Sequence, residues 1–308
     1  MKLVAVSVAA SGRLLRAAVL GLVACQPVAQ AQDAASLRTR HAELRESLSG
    51  TPFQRSLHLE SREASGDLEG DIYARVEQSF AVVGPALRGM DHWCDILMLH
   101  LNVKGCRGTR GQGGELLSLY VGRKFDQPLA DAYRVDFGYR VAASQPDYQQ
   151  VVLNAETGPM GTSHYRIMLE VVALDAGRSF LHLSYSYHYG VAARLSVQAY
   201  LATIGRNKLG FSIVGHNSRG LPVYIGGTRG VIERNTMRYF LAIEAFLGAL
   251  SVPAPERLEK RLNDWYAGVE RYPLQLHELE RSDYLEMKRG ETRRQLTEIP
   301  AGAADPRP

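Results

Sequence analysis

The sequence has few cysteines, few lysines and no catalytic or metal-binding motif of high specificity. Its three cysteines are not spaced as zinc ligands are. The glycine-rich run at residues 105–114 lacks the G-x-x-x-x-G-K-[ST] pattern, and it does not open a helix after a Rossmann strand, which excludes a phosphate loop. No G-x-S-x-G nucleophile motif is present. These absences give no direct indication of an enzyme, a metal or a cofactor. We expect neither a metal nor a cofactor.

The first 31 residues have the order of charge, apolar run and small residues that is typical of a bacterial export signal. The apolar run, residues 17–24, is much shorter than the roughly 20 residues that a membrane-spanning helix needs. We therefore expect residues 1–31 to be cleaved and the mature protein to be periplasmic. The charged residues and the cleavage site are Lys2, Arg13, Arg16 and Ala29-Gln30-Ala31.

A second interpretation overlaps the first, because Leu22-Val23-Ala24-Cys25 also resembles a bacterial lipobox. In that case the signal ends before Cys25, and the lipidated cysteine tethers the protein to the membrane of the envelope. Otherwise Cys25 is one more small apolar residue of the signal. The soluble and the lipid-anchored form both stay open at this stage.

Charge and the remaining cysteines constrain the mature chain. The formal net charge is +4, and the signal carries three of these charges, so the mature protein is close to neutral. A general nucleic-acid binder presents a basic patch, and this class is therefore excluded. Cys94 and Cys106 remain, and an even count in an oxidising compartment predicts a disulfide between them. Two buried thiols are the alternative.

Alternation of apolar and polar residues with a period of two predicts an antiparallel sheet of about seven strands. Residues 105–114 contain five glycines and are expected to form a loop rather than a strand. The predicted strands are residues 55–64 and 68–77 as an early hairpin, followed by 117–121, 133–141, 148–154, 165–171 and 180–189.

Apolar residues at helical spacing predict helices on both sides of this strand region. The longest spans residues 230–250, and a further helix is expected at 191–204. The predicted organisation is a signal at 1–31, an N-terminal helix at 32–52, a main domain at 53–250, a helical extension at 251–300 and a disordered tail at 301–308.

The order of these elements, with the segments V-E-Q-S-F-A-V-V (residues 76–83) and H-W-C (residues 92–94), resembles the START-like helix-grip superfamily. This superfamily includes START lipid-transfer domains and polyketide-cyclase-like proteins. The resemblance covers roughly residues 53–250, and the predicted helix at 191–204 departs from its pattern. It implies an α+β fold in which a curved antiparallel sheet grips a long helix around an apolar cavity that holds lipids, sterols or polyketides in relatives.

The inward faces of such a fold provide the candidate ligand-binding residues. Phenol hydroxyls among aliphatic side chains suit an amphipathic ligand, because pockets are mostly apolar with a few placed polar groups. The alternative is that these side chains fill a closed core and leave no cavity. The candidates are Tyr133, Phe137, Tyr139, Leu169, Tyr185, Tyr187 and Tyr189 on the sheet, with Tyr239, Phe240 and Ile243 on the long helix.

Acid–base chemistry would require His164, His188 and Glu233 to meet in the cavity. Alternation places His188 opposite the tyrosine face, so the histidines are expected at the surface. Glu233 and Arg238 are expected to form a salt-bridge network at an exposed helix end.

The resulting function hypothesis is an exported protein that binds a hydrophobic or amphipathic small molecule or lipid without transforming it. One alternative is a non-enzymatic interaction protein of the envelope that uses its C-terminal helices. The other is an enzyme of cyclase or hydrolase type.

Overall fold

The computed structural model describes residues 33–50, 52–190 and 208–298. Within them, eight strands form one antiparallel sheet in the spatial order β1-β2-β8-β7-β6-β5-β4-β3. The strands are β1 Leu57–Ala64, β2 Asp67–Val76, β3 Val103–Gly111, β4 Gly114–Val121, β5 Tyr133–Ser144, β6 Tyr148–Thr157, β7 Thr162–Ala173 and β8 Ser179–Tyr189. A separate two-stranded hairpin consists of β9 Ile213–His216 and β10 Pro222–Tyr224.

The helices of the described residues surround this sheet and form the C-terminal part of the chain. The predicted signal, Cys25, the predicted helix at 191–204 and the predicted tail at 301–308 lie outside the described residues. The helices are α1 Ala34–Glu43, α2 Arg45–Ser49, α3 Phe80–Arg88, α4 Met90–Leu97, α5 Gly227–Gly248, α6 Arg257–Val269, α7 Pro273–Leu276 and α8 Arg281–Glu298.

The long helix α5 lies across one face of the sheet, against β1, β2 and β8. Helix α3 covers β6 and β7 on the same side, and α4 covers β3 and β4. Gly70 of β2 permits the close approach of α5, because a Cβ there would lie 2.4 Å from Thr236 Oγ1. A β-hairpin, two short helices, six more strands and a long helix gripped by the sheet make up the helix-grip arrangement, which confirms the predicted fold.

The glycine-rich residues 105–114 form most of the hairpin β3–β4, where the sequence predicts a loop. The sheet therefore has eight strands instead of about seven. Gly108 lies directly beneath the first residues of α4, because a Cβ at this position would lie 2.8 Å from Met90 Cε and 3.2 Å from Asp91 Oδ1. At the turn, Gly114 has a φ of +105°, which L-residues with a side chain rarely adopt.

The outer face of the sheet carries a second, smaller core beneath α1 and α2. Apolar side chains of these helices pack on aromatic residues of β2, β6 and β8, which alternation directs away from α5. The buried members are Leu37, Leu44, Leu48, Tyr73, Tyr148, Val172 and Phe180.

The C-terminal helices extend the main domain as the sequence predicts. Helix α6 packs along α5, where Trp265 donates a hydrogen bond from Nε1 to the carbonyl oxygen of Arg238 (3.1 Å). Helix α8 packs on α6 and on the edge strand β3. No helix of the described residues combines the length and the apolar character needed to cross a membrane.

Cys94 of α4 and Cys106 of β3 form a disulfide, with their Cα atoms 5.3 Å apart. The bond fixes α4 to the edge of the sheet, and both sulfurs lie in the core between them. The prediction from cysteine number and compartment is confirmed.

Candidate ligand site between the sheet and helix α5

Five aromatic side chains meet between the sheet and α5; they are called the aromatic cluster below and comprise Phe137, Tyr165, Tyr185, Tyr187 and Tyr239. The ring of Tyr165 stacks on that of Tyr187, with centroids 5.2 Å apart. The ring of Tyr239 meets Tyr185 edge-on at 5.2 Å. Phe137 contacts Tyr165 edge-on at 6.2 Å.

Strand alternation and one irregularity place these rings together. Tyr185 and Tyr187 are two residues apart on β8, so both face α5. The register of β7 against β8 shifts between Ser163 and Arg166, which is the location of Tyr165. Such a bulge re-aims the side chains within it. Helix α5 contributes Tyr239 from the opposite side.

The hydroxyl groups of the interior tyrosines fall into two sets. Tyr139 donates to the carbonyl oxygen of Arg88 (2.6 Å), Tyr165 to Thr162 Oγ1 (2.7 Å) and Tyr189 to the carboxylate of Glu63. By contrast, the hydroxyls of Tyr185, Tyr187 and Tyr239 have no hydrogen-bond partner within the described part of the chain. Three phenol groups between sheet and helix therefore remain available to a bound molecule or to water.

Burial raises the pKa of Tyr185, Tyr187 and Tyr239 above the usual value of a phenol. All three groups consequently stay protonated at physiological pH and can donate as well as accept a hydrogen bond. Tyr239 nevertheless keeps a partly accessible surface, unlike Phe240 next to it on α5. A polar group of a ligand can therefore meet donors here without encountering a fixed charge.

His100 lies at one side of the cluster and stacks on Tyr239, with ring centroids 4.8 Å apart. Its Nδ1 accepts a hydrogen bond from the backbone N–H of Asn102 (3.1 Å), which places the proton of the neutral ring on Nε2. Burial, together with the positive charges of Arg238 and Lys288, lowers the pKa of His100 well below its usual value. Its Nε2 is buried and has no partner in the described residues.

The structure buries nine of the ten predicted ligand-binding residues wholly or largely and exposes one. Tyr133, at the beginning of β5, is 45% exposed and is not part of the buried interior. The first residue of a strand is not yet covered by α5 or α3, which alternation alone cannot reveal. Contact with a ligand stays a prediction for the other nine: Phe137, Tyr139, Leu169, Tyr185, Tyr187, Tyr189, Tyr239, Phe240 and Ile243.

Glu233 is completely buried, and its predicted place at an exposed helix end is wrong. Its carboxylate accepts hydrogen bonds from Ser61 Oγ (2.6 Å), from the backbone N–H groups of Phe211 (2.6 Å) and Ser212 (2.9 Å), and from Ser212 Oγ (2.7 Å). Glu233 therefore anchors the segment that enters the β9–β10 hairpin. Arg238 pairs instead with Glu278 at 2.9 Å.

Of the three residues considered for acid–base chemistry, His164 and His188 lie side by side, with ring centroids 6.0 Å apart, and neither contacts Glu233. His164 is mostly exposed, and His188 Nδ1 contacts Asp67 Oδ1 at 2.9 Å on the outer side of β8. Glu233 is engaged by the groups named above. Among the described residues no group of His, Cys, Asp and Glu side chains has the arrangement of a metal site.

Sequence reasoning missed a polar network on the outer face, centred on His182. Its Nε2 lies 2.9 Å from Asp71 Oδ1 and its Nδ1 lies 2.9 Å from Glu170 Oε2. Tyr148 also donates to Glu170 (2.5 Å), and Tyr73 stacks on the imidazole at 4.2 Å. The only available signal was a polar residue in each of three strands, whose pairing the sequence does not reveal.

Comparisons with known proteins find solved structures of low similarity. No known family profile matches the chain, and no curated protein matches it. Among solved structures, a norcoclaurine synthase point mutant from Thalictrum flavum, in complex with a transition-state analogue, is similar at 16% identity and a TM-score of 0.32, over 45% of this chain and 86% of that one. A START superfamily protein from Mycobacterium smegmatis has 12% identity and a TM-score of 0.30, over 46% and 88%.

A conserved protein of unknown function from Enterococcus faecalis covers more of the chain, 79%, and 92% of its own length, at 8% identity and a TM-score of 0.29. The assignment of the fold rests on the strand order and the gripped helix, and no ligand or reaction is transferred from these proteins.

Proposed function

We propose that this chain is an exported envelope protein that binds an apolar molecule with a few polar groups between the sheet and α5, without transforming it. The observation that carries the proposal is the set of phenol hydroxyls on Tyr185, Tyr187 and Tyr239. Their rings are buried or half-buried between sheet and helix, and none of the three hydroxyls has a hydrogen-bond partner in the described chain. Polar atoms of a ligand would complete them, while the surrounding aromatic and aliphatic side chains would contact its apolar part.

Two observations support export. Residues 1–31 have the order of a cleaved signal. The Cys94–Cys106 disulfide belongs to an oxidising compartment such as the periplasm, since cytosolic thiols are kept reduced. Whether the mature chain is soluble or carries a lipid on Cys25 is decided by the mass of its N-terminal peptide.

The polar contacts are tested by changing each of Tyr185 and Tyr239 to Phe and measuring how the ligand extracted from the parent protein rebinds. Each substitution removes one hydroxyl and keeps the ring. We expect rebinding to weaken about fivefold per substitution, because a hydrogen bond contributes on the order of 1 kcal/mol. Native mass spectrometry of delipidated protein mixed with the extract gives the bound fraction.

Tyr284→Phe is the matched control, because its hydroxyl donates to the carbonyl oxygen of Leu99 in the C-terminal part of the fold (3.0 Å). We expect this variant to rebind the extract as the parent does. Equal rebinding by the Tyr185→Phe/Tyr239→Phe double variant and the parent would show that these phenols are not ligand contacts.

A further inference from the structure

The β9–β10 hairpin projects from the protein with an apolar surface. Residues 213–223 are all exposed, and this hairpin forms its own two-stranded sheet. Nine large apolar side chains are exposed among the described residues, and four of them lie in this hairpin. They are Ile213 (47%), Val214 (59%), Leu221 (55%) and Val223 (41%).

The base of the hairpin is fixed to the main domain. The buried ring of Phe211 packs against Phe53 (centroids 5.6 Å apart) and Tyr272 (5.4 Å). The carboxylate of Glu233 holds the backbone of Phe211 and Ser212. An isolated two-stranded hairpin is only marginally stable in water, so these anchors define where the apolar tip is presented.

Side-chain-to-backbone hydrogen bonds order the turn at the tip of the hairpin. Asn217 Oδ1 accepts hydrogen bonds from the backbone N–H groups of Arg219 (2.9 Å) and Leu221 (3.0 Å), and Gly220 adopts a φ of +76°. Such a side-chain-to-backbone turn orders the chain without help from the rest of the fold. The exposed aliphatic residues are thus displayed on an ordered projection.

The exposed tip of the hairpin carries a positive charge and no acid. The sequence contains no aspartate or glutamate between Gly190 and Glu233. In the described part of this stretch Arg219 lies in the exposed tip, whereas Lys208 pairs with Glu278 (3.1 Å) and Arg229 donates to the carbonyl oxygen of Ser61 (2.8 Å). Exposed aliphatic side chains beside an arginine, with no acid in the tip, are a combination that favours the surface of an anionic membrane, where apolar burial and electrostatic attraction add.

We propose that the β9–β10 hairpin docks this protein on an anionic lipid bilayer, with the aliphatic side chains of its tip entering the headgroup region and Arg219 contacting lipid phosphates. The proposal goes beyond ligand binding and does not depend on it. A hairpin at the membrane would place the domain where apolar molecules are found.

Co-sedimentation with vesicles tests the docking. The parent chain is mixed with vesicles of phosphatidylglycerol and phosphatidylethanolamine, and separately with vesicles of phosphatidylcholine alone. We expect the parent to sediment with the anionic vesicles, less with the neutral ones, and less again as NaCl is raised, because salt screens the attraction. All variants keep the full chain, so any contribution of residues 1–32 is common to them.

The double variant Ile213→Asp/Leu221→Asp is expected to partition into anionic vesicles at least about tenfold less than the parent. Each change removes an exposed aliphatic side chain that would enter the bilayer, and each adds a negative charge. Leu274→Asp changes a similarly exposed leucine (57%) on α7 and should behave as the parent. Since all three sites are exposed, the thermal midpoints should agree.

Absence of sedimentation of the parent with anionic vesicles would overturn the proposal. Equal sedimentation of the parent and the double variant would do the same. If the double variant differs from the parent in its oligomeric mass in solution but not in vesicle binding, the apolar surface is assigned to a second copy of this chain instead.

Discussion

His182 lies between two carboxylates on the outer face of the sheet, where the second core covers it. Burial opposes the positive charge, but the hydrogen bonds to Asp71 and Glu170 outweigh it and raise the pKa of His182 to about 9. The folded protein therefore binds this proton more tightly than the unfolded chain, in which the pKa of histidine is about 6.5. The stabilisation is fully present below about pH 6.5 and is lost as the pH rises through about 9.

His182→Gln tests this network. Two buried carboxylates then lack their cation, and we expect the free energy of unfolding to fall by about 3 kcal/mol at pH 6. The difference from the parent should shrink between pH 6 and pH 9.5, because the parent loses its own stabilisation over that range. Urea denaturation at both pH values measures it.

His188→Gln is the control for the same substitution on the same strand. The side chain of His188 is 35% exposed and contacts the exposed Asp67, so the change should stay within about 1 kcal/mol. If the loss of unfolding free energy in the His182→Gln variant does not depend on pH, the imidazole is not held as a cation.

For single residues, the sequence predicts which face of a strand a side chain occupies better than it predicts the contacts that the side chain makes. Alternation correctly directs Tyr185 and Tyr187 toward α5, since side-chain direction in a strand depends only on position. Glu233 and His182 are different cases. Their partners lie on segments distant in sequence, Ser212 and Ser61 for the first and Asp71 and Glu170 for the second, and the pairing of strands decides these contacts.

Among the elements, α8 is attached to the sheet by a buried charge network. Glu291 accepts from Lys104 Nζ (2.8 Å) on β3 and from Lys288 Nζ (2.8 Å) on its own helix. All three side chains are buried. Burial lowers the pKa of Lys288 to about 8, and the neighbouring Glu291 opposes that shift. Both lysines also donate to backbone carbonyl groups, Lys104 to Leu101 and Lys288 to His100 and Val103.

Glu291→Gln leaves two buried lysines without their carboxylate. We expect the variant to lose about 3 kcal/mol of unfolding free energy, and α8 to exchange its amide protons faster than the sheet does. Hydrogen exchange read by mass spectrometry over residues 281–298 resolves this. Glu259→Gln is the control. It breaks an exposed ion pair between Glu259 of α6 and Arg289 of α8 (2.6 Å), and we expect the free energy of unfolding to change by less than about 1 kcal/mol. Equal exchange of α8 in parent and Glu291→Gln would contradict the anchoring role.

Most elements are predictable because their pattern is local. The strands at residues 133–141 and 180–189 alternate clearly, and α5 has a continuous apolar stripe. The hairpin β3–β4 is not predictable in this way, because Gly108 lies within a strand beneath Met90 of α4, a contact that the local sequence does not reveal. The local pattern of a glycine-rich strand under a helix is the same as that of a loop.

The whole molecule combines a sheet that grips α5, an aromatic cluster in which three phenol groups have no partner among the described residues, and a disulfide between α4 and β3. The order of elements predicts the helix-grip arrangement from the sequence. The sequence does not predict whether the interior is a filled core or a ligand site, since tyrosines with either role have the same spacing. Hydroxyl partners, which only the structure provides, separate Tyr139 and Tyr189 from Tyr185 and Tyr239.

The most direct test of the central claim is native mass spectrometry, with organic extraction, of the chain purified from the envelope of its own or a related bacterium. The account predicts a bound apolar molecule in a one-to-one ratio, which the extraction recovers and identifies by class. An empty protein that also takes up none of the apolar molecules extracted from the same membranes would contradict ligand binding between the sheet and α5.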